Sequence, residues 1–453
     1  MKIIIVGAGV AGLSTYLQLC KVLPSFDSHT VLIFESHKPR GDNSSRSSNP
    51  SLAEQQGLTD RAAIVGNSIA LVPSSMRLLK YIDTRVYDIF KARGCVNESY
   101  TFRTARGHLI AVTSTGDKES PEEYTVSCPR YGLWECLHEV VGEDKIQYRT
   151  VSEVDLSGEK PVVRLADGGE ESADLVIGAD GVRSVVKKAI FGEENDRQYA
   201  PCYEGFCGVG AFIEGDIPEA IIKHRSMVFT FGPTGSFGYC SAAPQSQRKL
   251  GWWSNWGTPE APDGNVMDPE EIRKQLRERH GTWKDPVIQN IIEEMDTDRI
   301  YPIWTTPDLP HWGEGGAVLL GDAAHTLPAT SGQGAGQALE DSVVFSLLLA
   351  HYMAKAEATG GGLTVEEVVT LSIKGLYEIR YPRVATIKAR SRNLYLTNKK
   401  IDNVVFEYMY YLFIYMWTNF PILGQLIVGT VFMDADERGA GEQVEEYLKK
   451  KGQ

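Results

Sequence analysis

Lys2-Ile3-Ile4-Ile5-Val6-Gly7-Ala8-Gly9-Val10-Ala11-Gly12-Leu13 opens the chain. An apolar, mostly β-branched run that stops at glycine reads as a buried parallel strand. Val10 to Leu23 continues at helical spacing and ends before Pro24, and Thr30–Glu35 is a second apolar strand. Parallel strands need such a crossover, so the first thirty-five residues form a strand–helix–strand unit. Gly7 permits the tight turn, Gly9 lets the backbone approach a pyrophosphate, and Gly12 lets helix and strand pack closely. The helix start offers unpaired N–H groups and a partial positive charge to phosphates. Glu35 ends the second strand, where a carboxylate accepts from an adenosine ribose and disfavours a 2′-phosphate, so NADP is not expected there. The reading is a dinucleotide site, set against a glycine-rich turn with no ligand. FAD and NAD both stay open at this point.

At 453 residues the chain can bury a large interior, and its 42% hydrophobic, 23% charged composition is that of a globular protein. A formal charge of −13 with no Lys/Arg run argues against nucleic acid as a partner. The seven cysteines form no Cys-x-x-Cys and no zinc-spaced cluster, which fits reduced thiols in a cytoplasmic setting. Three glycines interrupt the apolar start, so it does not read as a signal peptide.

His37 to Asp60 is rich in Ser, Asn, Gly and Pro and reads as a long surface loop. Ile64–Val72 resumes as a strand and Ser74–Tyr81 as a helix. Alternating short strands over Tyr100–Thr113 and from about Tyr203 to Trp256 suit an antiparallel sheet. Asp174–Gly178 and Ala317–Gly321 are short apolar strands running into glycine. Gly334–Met353 is helical, as is most of Thr364–Tyr415.

Two later segments separate FAD from NAD: Leu175-Val176-Ile177-Gly178-Ala179-Asp180-Gly181-Val182-Arg183-Ser184, and Ala317-Val318-Leu319-Leu320-Gly321-Asp322-Ala323-Ala324-His325 leading to Pro328 and Gly332-Gln333-Gly334-Ala335-Gly336-Gln337. With the first motif, Gly66–Pro73, Arg130 with Leu133 and Leu137, and Tyr377–Arg383, the sequence resembles the flavoprotein monooxygenases related to para-hydroxybenzoate hydroxylase and the fungal salicylate-hydroxylase-like enzymes. The resemblance runs over most of the chain and thins in the His37–Asp60 insertion and beyond about Val404.

The resemblance implies an α/β fold: an FAD-binding Rossmann-like domain, an antiparallel-sheet substrate domain and a helical C-terminal region. The expected division is residues 1–95, 125–195 and 300–350 for FAD, 96–124 and 196–299 for substrate, and 351–453 for the helical region. It implies FAD contacts at Gly7, Gly9, Gly12, Glu35, Ala70, Arg130, Asp180, Asp322, Gly334 and Ala335, and NAD(P)H as co-substrate without a nicotinamide domain of its own. Asp322 can accept from ribityl hydroxyls, and the helix from Gly334 aims its positive end at a reduced flavin. Arg130 suits phosphate oxygens, with a surface ion pair as its bland alternative. The implied activity is hydroxylation of an aromatic or other electron-rich small molecule with O₂, through a flavin C4a-hydroperoxide, in secondary metabolism. Epoxidation of an indole or alkene is second; a halogenase, a reductase and a non-catalytic flavin protein are further alternatives.

On the substrate side, Gly210 stands where several related phenol hydroxylases carry Arg. Tyr239 is the expected catalytic residue, donating to a substrate phenolate, against the reading of a packed aromatic. Gly251-Trp252-Trp253-Ser254-Asn255-Trp256 reads as sheet packing or a pocket wall. His325 reads as a buttress of its loop. Tyr408 to Phe432 is 25 residues without formal charge, long enough to span a bilayer. Pro421, Gly424, Gln425 and Gly429 interrupt it, so packing on the body (a face of Val404, Met409 and Phe413) or between two copies in a homodimer is favoured over membrane contact through 404–433.

Overall fold

A computed structural model describes residues 1–38, 68–116, 123–192, 198–263, 265–358, 362–394, 400–420 and 439–452. Most of the surface loop expected over His37–Asp60 lies outside them, as does the tail beyond Phe420 as far as residue 438. Lys2–Val6 is the strand expected and lies between Leu175–Gly178 and Thr30–Phe34, parallel to both, in a six-stranded sheet. Ala317–Leu319 extends that sheet in parallel, and Gly313–Glu314 closes the edge antiparallel. Ile3, Ile4 and Ile5 are fully buried, because a parallel sheet is covered on both faces and its strands carry no polar alternation.

The helix Val10–Val22 packs against Gly334–Ala358, and small hydroxyl residues meet where they cross. Ser14 Oγ lies 2.7 Å from Ser342 Oγ, and Thr15 donates to Ser342 at 2.9 Å. Each hydroxyl also returns to a carbonyl one turn back, so buried polar groups are satisfied where the two backbones come close. Gly334–Ala358 is buried nearly all round from Gly336 to Ser346, as a central helix must be.

The second large sheet has seven strands in the order Tyr301–Thr305, Cys202–Glu214, Lys249–Gly257, Gly235–Ser241, Ser226–Gly232, Ser99–Thr104 and Leu109–Ser114. It therefore includes a strand beyond the expected boundary at residue 299. Its pairs are antiparallel except Ser226–Gly232 with Ser99–Thr104, which run parallel. Hairpins force antiparallel neighbours, whereas Ser99–Thr104 arrives from a distant part of the chain and is free of that constraint. The helices Pro269–His280 and Pro286–Glu294 cover one face of this sheet, and the other face is aromatic.

The helix Val404–Asn419 lies against Leu109–Ser114. Its buried face is Glu407, Tyr410, Tyr411 and Ile414, with Phe413 packed beside them as expected, whereas the expected Val404 and Met409 are exposed. The reason is an ion pair: Glu407 accepts from Arg106 Nε and NH2 at 2.9 and 2.8 Å and from Tyr411 OH at 2.7 Å. A carboxylate so engaged can be buried, and it turns the helix by its own position. No helix among the described residues is long and apolar enough to cross a membrane.

The tightest of the described glycines is Gly12, where a Cβ would lie 2.0 Å from the Gly7 carbonyl oxygen. Gly12→Ala is expected to destabilise the protein by about 3 kcal/mol or more, the top of the usual overpacking range, because backbone blocks the added methyl. Urea unfolding tests this; an unchanged midpoint would mean that the helix moves off its strand at no cost.

Candidate cofactor and substrate site

Three segments distant in sequence meet at the ends of the parallel strands. Gly7 turns at φ +101°, with space for no Cβ because Ala179 O is 2.5 Å from where one would sit. Gly321 turns at φ +59°, and a Cβ there would lie 3.1 Å from Ala11 Cβ and 3.2 Å from Ala338 Cβ. The Gly321-Asp322 turn thus sits between the first turns of two long helices. Gly9 and Gly334, near those two helix starts, face open space, with nothing within 4 Å of a built Cβ. Both helix N-termini are therefore open, as an anionic ligand requires.

Glu35 fits the same side. Its Oε2 accepts from Ala8 N at 2.8 Å and its Oε1 from His37 N at 3.0 Å, so the acid braces the glycine turn and keeps lone pairs for a ribose. Trp134 Nε1 donates to Ala8 O at 2.9 Å, tying the helix Arg130–Val141 to that turn. Arg130, its first residue, is exposed and close enough for its charge to act on Asp322. The Asp322 side chain is solvent-accessible yet crowded by protein. Desolvation raises its carboxyl above the ordinary range, against the Arg130 and His325 charges. Asp180 is divided in role. Its Oδ2 accepts from Val185 N at 2.7 Å at the start of the helix Val185–Phe191, while buried Oδ1 has no hydrogen-bond partner. Desolvation raises this carboxyl too, against hydrogen bonds from Ser184 and the helix start. These donors and acceptors fit the diphosphate, ribose and ribityl groups of FAD, and Ala335 follows Gly334 at the helix start.

Beneath the Gly321 turn lies a charged network with Asp341 and Arg380 at 0% exposure. His325 Nε2 donates to Asp341 Oδ2 at 2.6 Å, Gly321 N to the same oxygen at 3.0 Å, and Arg380 Nε to Oδ1 at 2.9 Å. Arg380 also reaches Glu340 at 2.6 Å and Gln337 Oε1 at 2.6 Å, and Arg383 holds Glu340 at 3.1 Å. His325 is thus a buttress of its loop. Burial alone would raise the Asp341 carboxyl; His325 and Arg380 overcome this and hold it low. The central place of Asp341 was not legible in sequence, where it is one acid among several on a helix.

The aromatic face of the seven-stranded sheet supplies a second component. Register aligns Gly210, Trp253, Gly238, Phe229 and Phe102 in one row across five strands. Trp253 lies over Gly238, where a Cβ would fall 2.2 Å from the indole. The adjoining rows are Gly208, Asn255, Ser236, Phe231 and Thr104, and Phe212, Gly251, Cys240, Met227 and Tyr100. None of these residues is charged. Phe102 stacks on Phe229 at 5.7 Å, and Trp417 and Tyr410 close the far end against Phe102 and Phe231. Ala70 packs on this aromatic cluster from Ser68–Leu71, and Ser68 meets Cys240. The face is apolar and uncharged, and the Trp253 indole occupies the space that a side chain at Gly238 would take.

Tyr239 is not part of it. Neighbouring strand residues point to opposite faces, and Tyr239 lies on the helix-covered side, donating to Asp285 Oδ2 at 2.8 Å. Asp285 in turn caps Pro286–Glu294 through Val287 N. Burial and Asp285 hold the phenol protonated. Tyr239 is thus a packed, hydrogen-bonded residue of the helix-covered side, as in the alternative reading of the sequence.

Residues 60–361 match the family model described as "FAD binding domain", and the chain belongs to that family. Its curated relatives include proteins named as a monooxygenase and as epoxidases. Aurachin C monooxygenase/isomerase of Stigmatella aurantiaca is 32% identical over 228 residues, 49% of this chain and 55% of the relative. Zeaxanthin epoxidase of Nicotiana plumbaginifolia is 27% identical over 409 residues, 86% of this chain and 54% of the relative. The chain thus spans about half the length of these curated relatives. Klebsiella pneumoniae HpxO, solved with FAD and uric acid, shares the fold at a TM-score of 0.67 and 18% identity, over 99% of this chain and 97% of that one. CtdE, solved with FAD and a substrate, does so at 0.73 and 16%, over 99% and 98%.

Asp341→Asn is expected to cost about 3–5 kcal/mol, since Arg380 is left buried beside a weaker partner. The depressed carboxyl also sets a pH dependence. Its stabilisation is full above the unfolded value of about 3.9 and is lost as pH falls through the lower folded value. Acid unfolding of the wild type and the variant should therefore converge below about pH 4; parallel curves down to the acid limit would remove Asp341 from this role.

Proposed function

We propose that this chain oxygenates a neutral, largely apolar, electron-rich ring or alkene, with NAD(P)H as reductant and O₂ as oxidant. The observation that carries the reading is the juxtaposition at Ala70. One strand ties the cofactor-side sheet elements to an uncharged aromatic face. Gly7, Gly9, Gly12, Glu35, Ala70, Arg130, Asp180, Asp322, Gly334 and Ala335 would hold FAD. Bound FAD supplies electron transfer from the nicotinamide and the activation of O₂.

The remaining work is positioning. Trp253, Phe229 and Phe102 offer ring faces and edges that hold a planar substrate. Their burial against the sheet keeps water from the reacting carbon. The Cys240 thiol is pushed up to about 12 by burial and stays neutral. With Gly210 in the row and no charged residue beside it, shape rather than charge selects the substrate. Aromatic hydroxylation leads. The neutral lining also suits epoxidation of an indole or alkene, since neither needs a phenolate partner.

A library of apolar aromatics and alkenes should contain compounds that stimulate NAD(P)H and O₂ consumption with an oxygenated product. Trp253→Ala should lower product per NAD(P)H oxidised at least about tenfold, roughly 1.4 kcal/mol of barrier, with hydrogen peroxide making up the balance. Tyr239→Phe should leave that ratio unchanged and lower stability by about 1 kcal/mol. Loss of coupling in Tyr239→Phe with none in Trp253→Ala would place the substrate on the wrong face of the sheet.

A further inference from the structure

We propose that the outer face of the helix Val404–Asn419 docks on an uncharged lipid surface. The inner face is settled, with Glu407, Tyr410, Tyr411 and Ile414 buried. Outward stand Val405, Phe406, Tyr408, Met409, Leu412 and Tyr415, between 45% and 66% exposed. Glu407 is the one formally charged residue of the helix, and it is buried in its bonds to Arg106 and Tyr411. The solvent-facing side of this helix therefore carries no charge at all, and apolar patches of this kind mark binding surfaces.

Geometry selects the occupant. At 3.6 residues per turn the exposed apolar positions from Val404 to Phe406, with those one and two turns on, span about 200° of the circumference. A helix from a second copy covers a stripe of roughly 100° and would leave half of this arc in water. A helix lying in a lipid interface has its whole outer side immersed. Tyr408 and Tyr415 bring rings with an apolar body and a polar tip, suited to that depth. The Arg106 guanidinium, 42% exposed, lies 5.4 Å over the Tyr408 ring, at the level where headgroups would begin.

The chain carries −13 overall and no Lys/Arg cluster, which opposes anionic lipids and favours zwitterionic ones. At 16 residues the helix is also too short to span, so it lies in the plane of the surface. Its inner side contributes Tyr410 and Trp417 to the end of the aromatic face. A lipophilic substrate dissolved in the bilayer would then meet that face without crossing water. That consequence rests on the proposed function; the docking does not.

The test uses the full FAD-loaded chain with phosphatidylcholine vesicles in a flotation assay, and sedimentation velocity without lipid. Co-flotation is expected, and it should persist in about 1 M salt, which screens charge but not apolar burial. Val405→Glu with Met409→Glu should lower the partition coefficient at least about tenfold, with FAD content and sedimentation unchanged. Failure of the wild type to float overturns the proposal. So does a dimer that the double substitution splits while no lipid is bound, which would give this face to a second copy. Undiminished flotation of the double variant overturns it as well, by placing the lipid contact elsewhere. None of these readouts depends on turnover.

Discussion

Gly321 turns in the left-handed region, with Ala11 on one side and Ala338 on the other at little more than 3 Å from where a side chain would begin. Those alanines belong to the first turns of the two helices that carry the phosphate-type and flavin-type motifs. This contact brings the Gly321-Asp322 turn against both helices, near the open backbone at Gly9 and at Gly334. Where Val10–Val22 meets Gly334–Ala358, Ser14, Thr15 and Ser342 close one another's polar groups.

A turn so constrained needs support from below, and the fold supplies it with charge. Asp341 accepts from the Gly321 amide, from His325 and from Arg380, so one carboxylate determines the path of the backbone and the position of the loop after it. Such an arrangement is costly to desolvate and adds little to net stability. Its value is directional, since three donors converge on one acid with fixed angles, which an apolar plug would not reproduce. Gln443 of the last helix also reaches Glu340 in this network, so the C-terminal end of the chain is coupled to the cofactor side.

The aromatic face of the seven-stranded sheet obeys a different rule, the two-residue period of strands. Gly238 and Tyr239 are neighbours, yet the first lies on the aromatic face and the second faces Asp285 under two helices. Parity along a strand is visible in sequence, but which parity meets the cofactor is not. The helices Pro269–His280 and Pro286–Glu294 take one face, and the other is thereby left for Ala70 and the helix Val404–Asn419. Trp253 gains its importance in the same way, because glycines on both neighbouring strands leave its indole room to lie flat.

The order of elements in the nucleotide-binding half was legible because its causes are local. β-branched runs make buried parallel strands, glycines make the turns, and an acid closes the second strand, all within short windows. The family signatures at Asp180 and Asp322 are likewise local, and they identify FAD without reference to anything distant. Other features depend on groups far apart in the chain. Glu407 is buried because Arg106 is there to meet it, across 301 positions, and that pairing turns Val404 and Met409 outward while Phe413 stays packed. Ser99–Thr104 runs parallel to a strand more than a hundred residues away, and Asp341 gathers Gly321, His325 and Arg380 from three elements. Local rules specify what each segment becomes; long-range partners decide which way it faces, because only a partner can offset the cost of burying a charge.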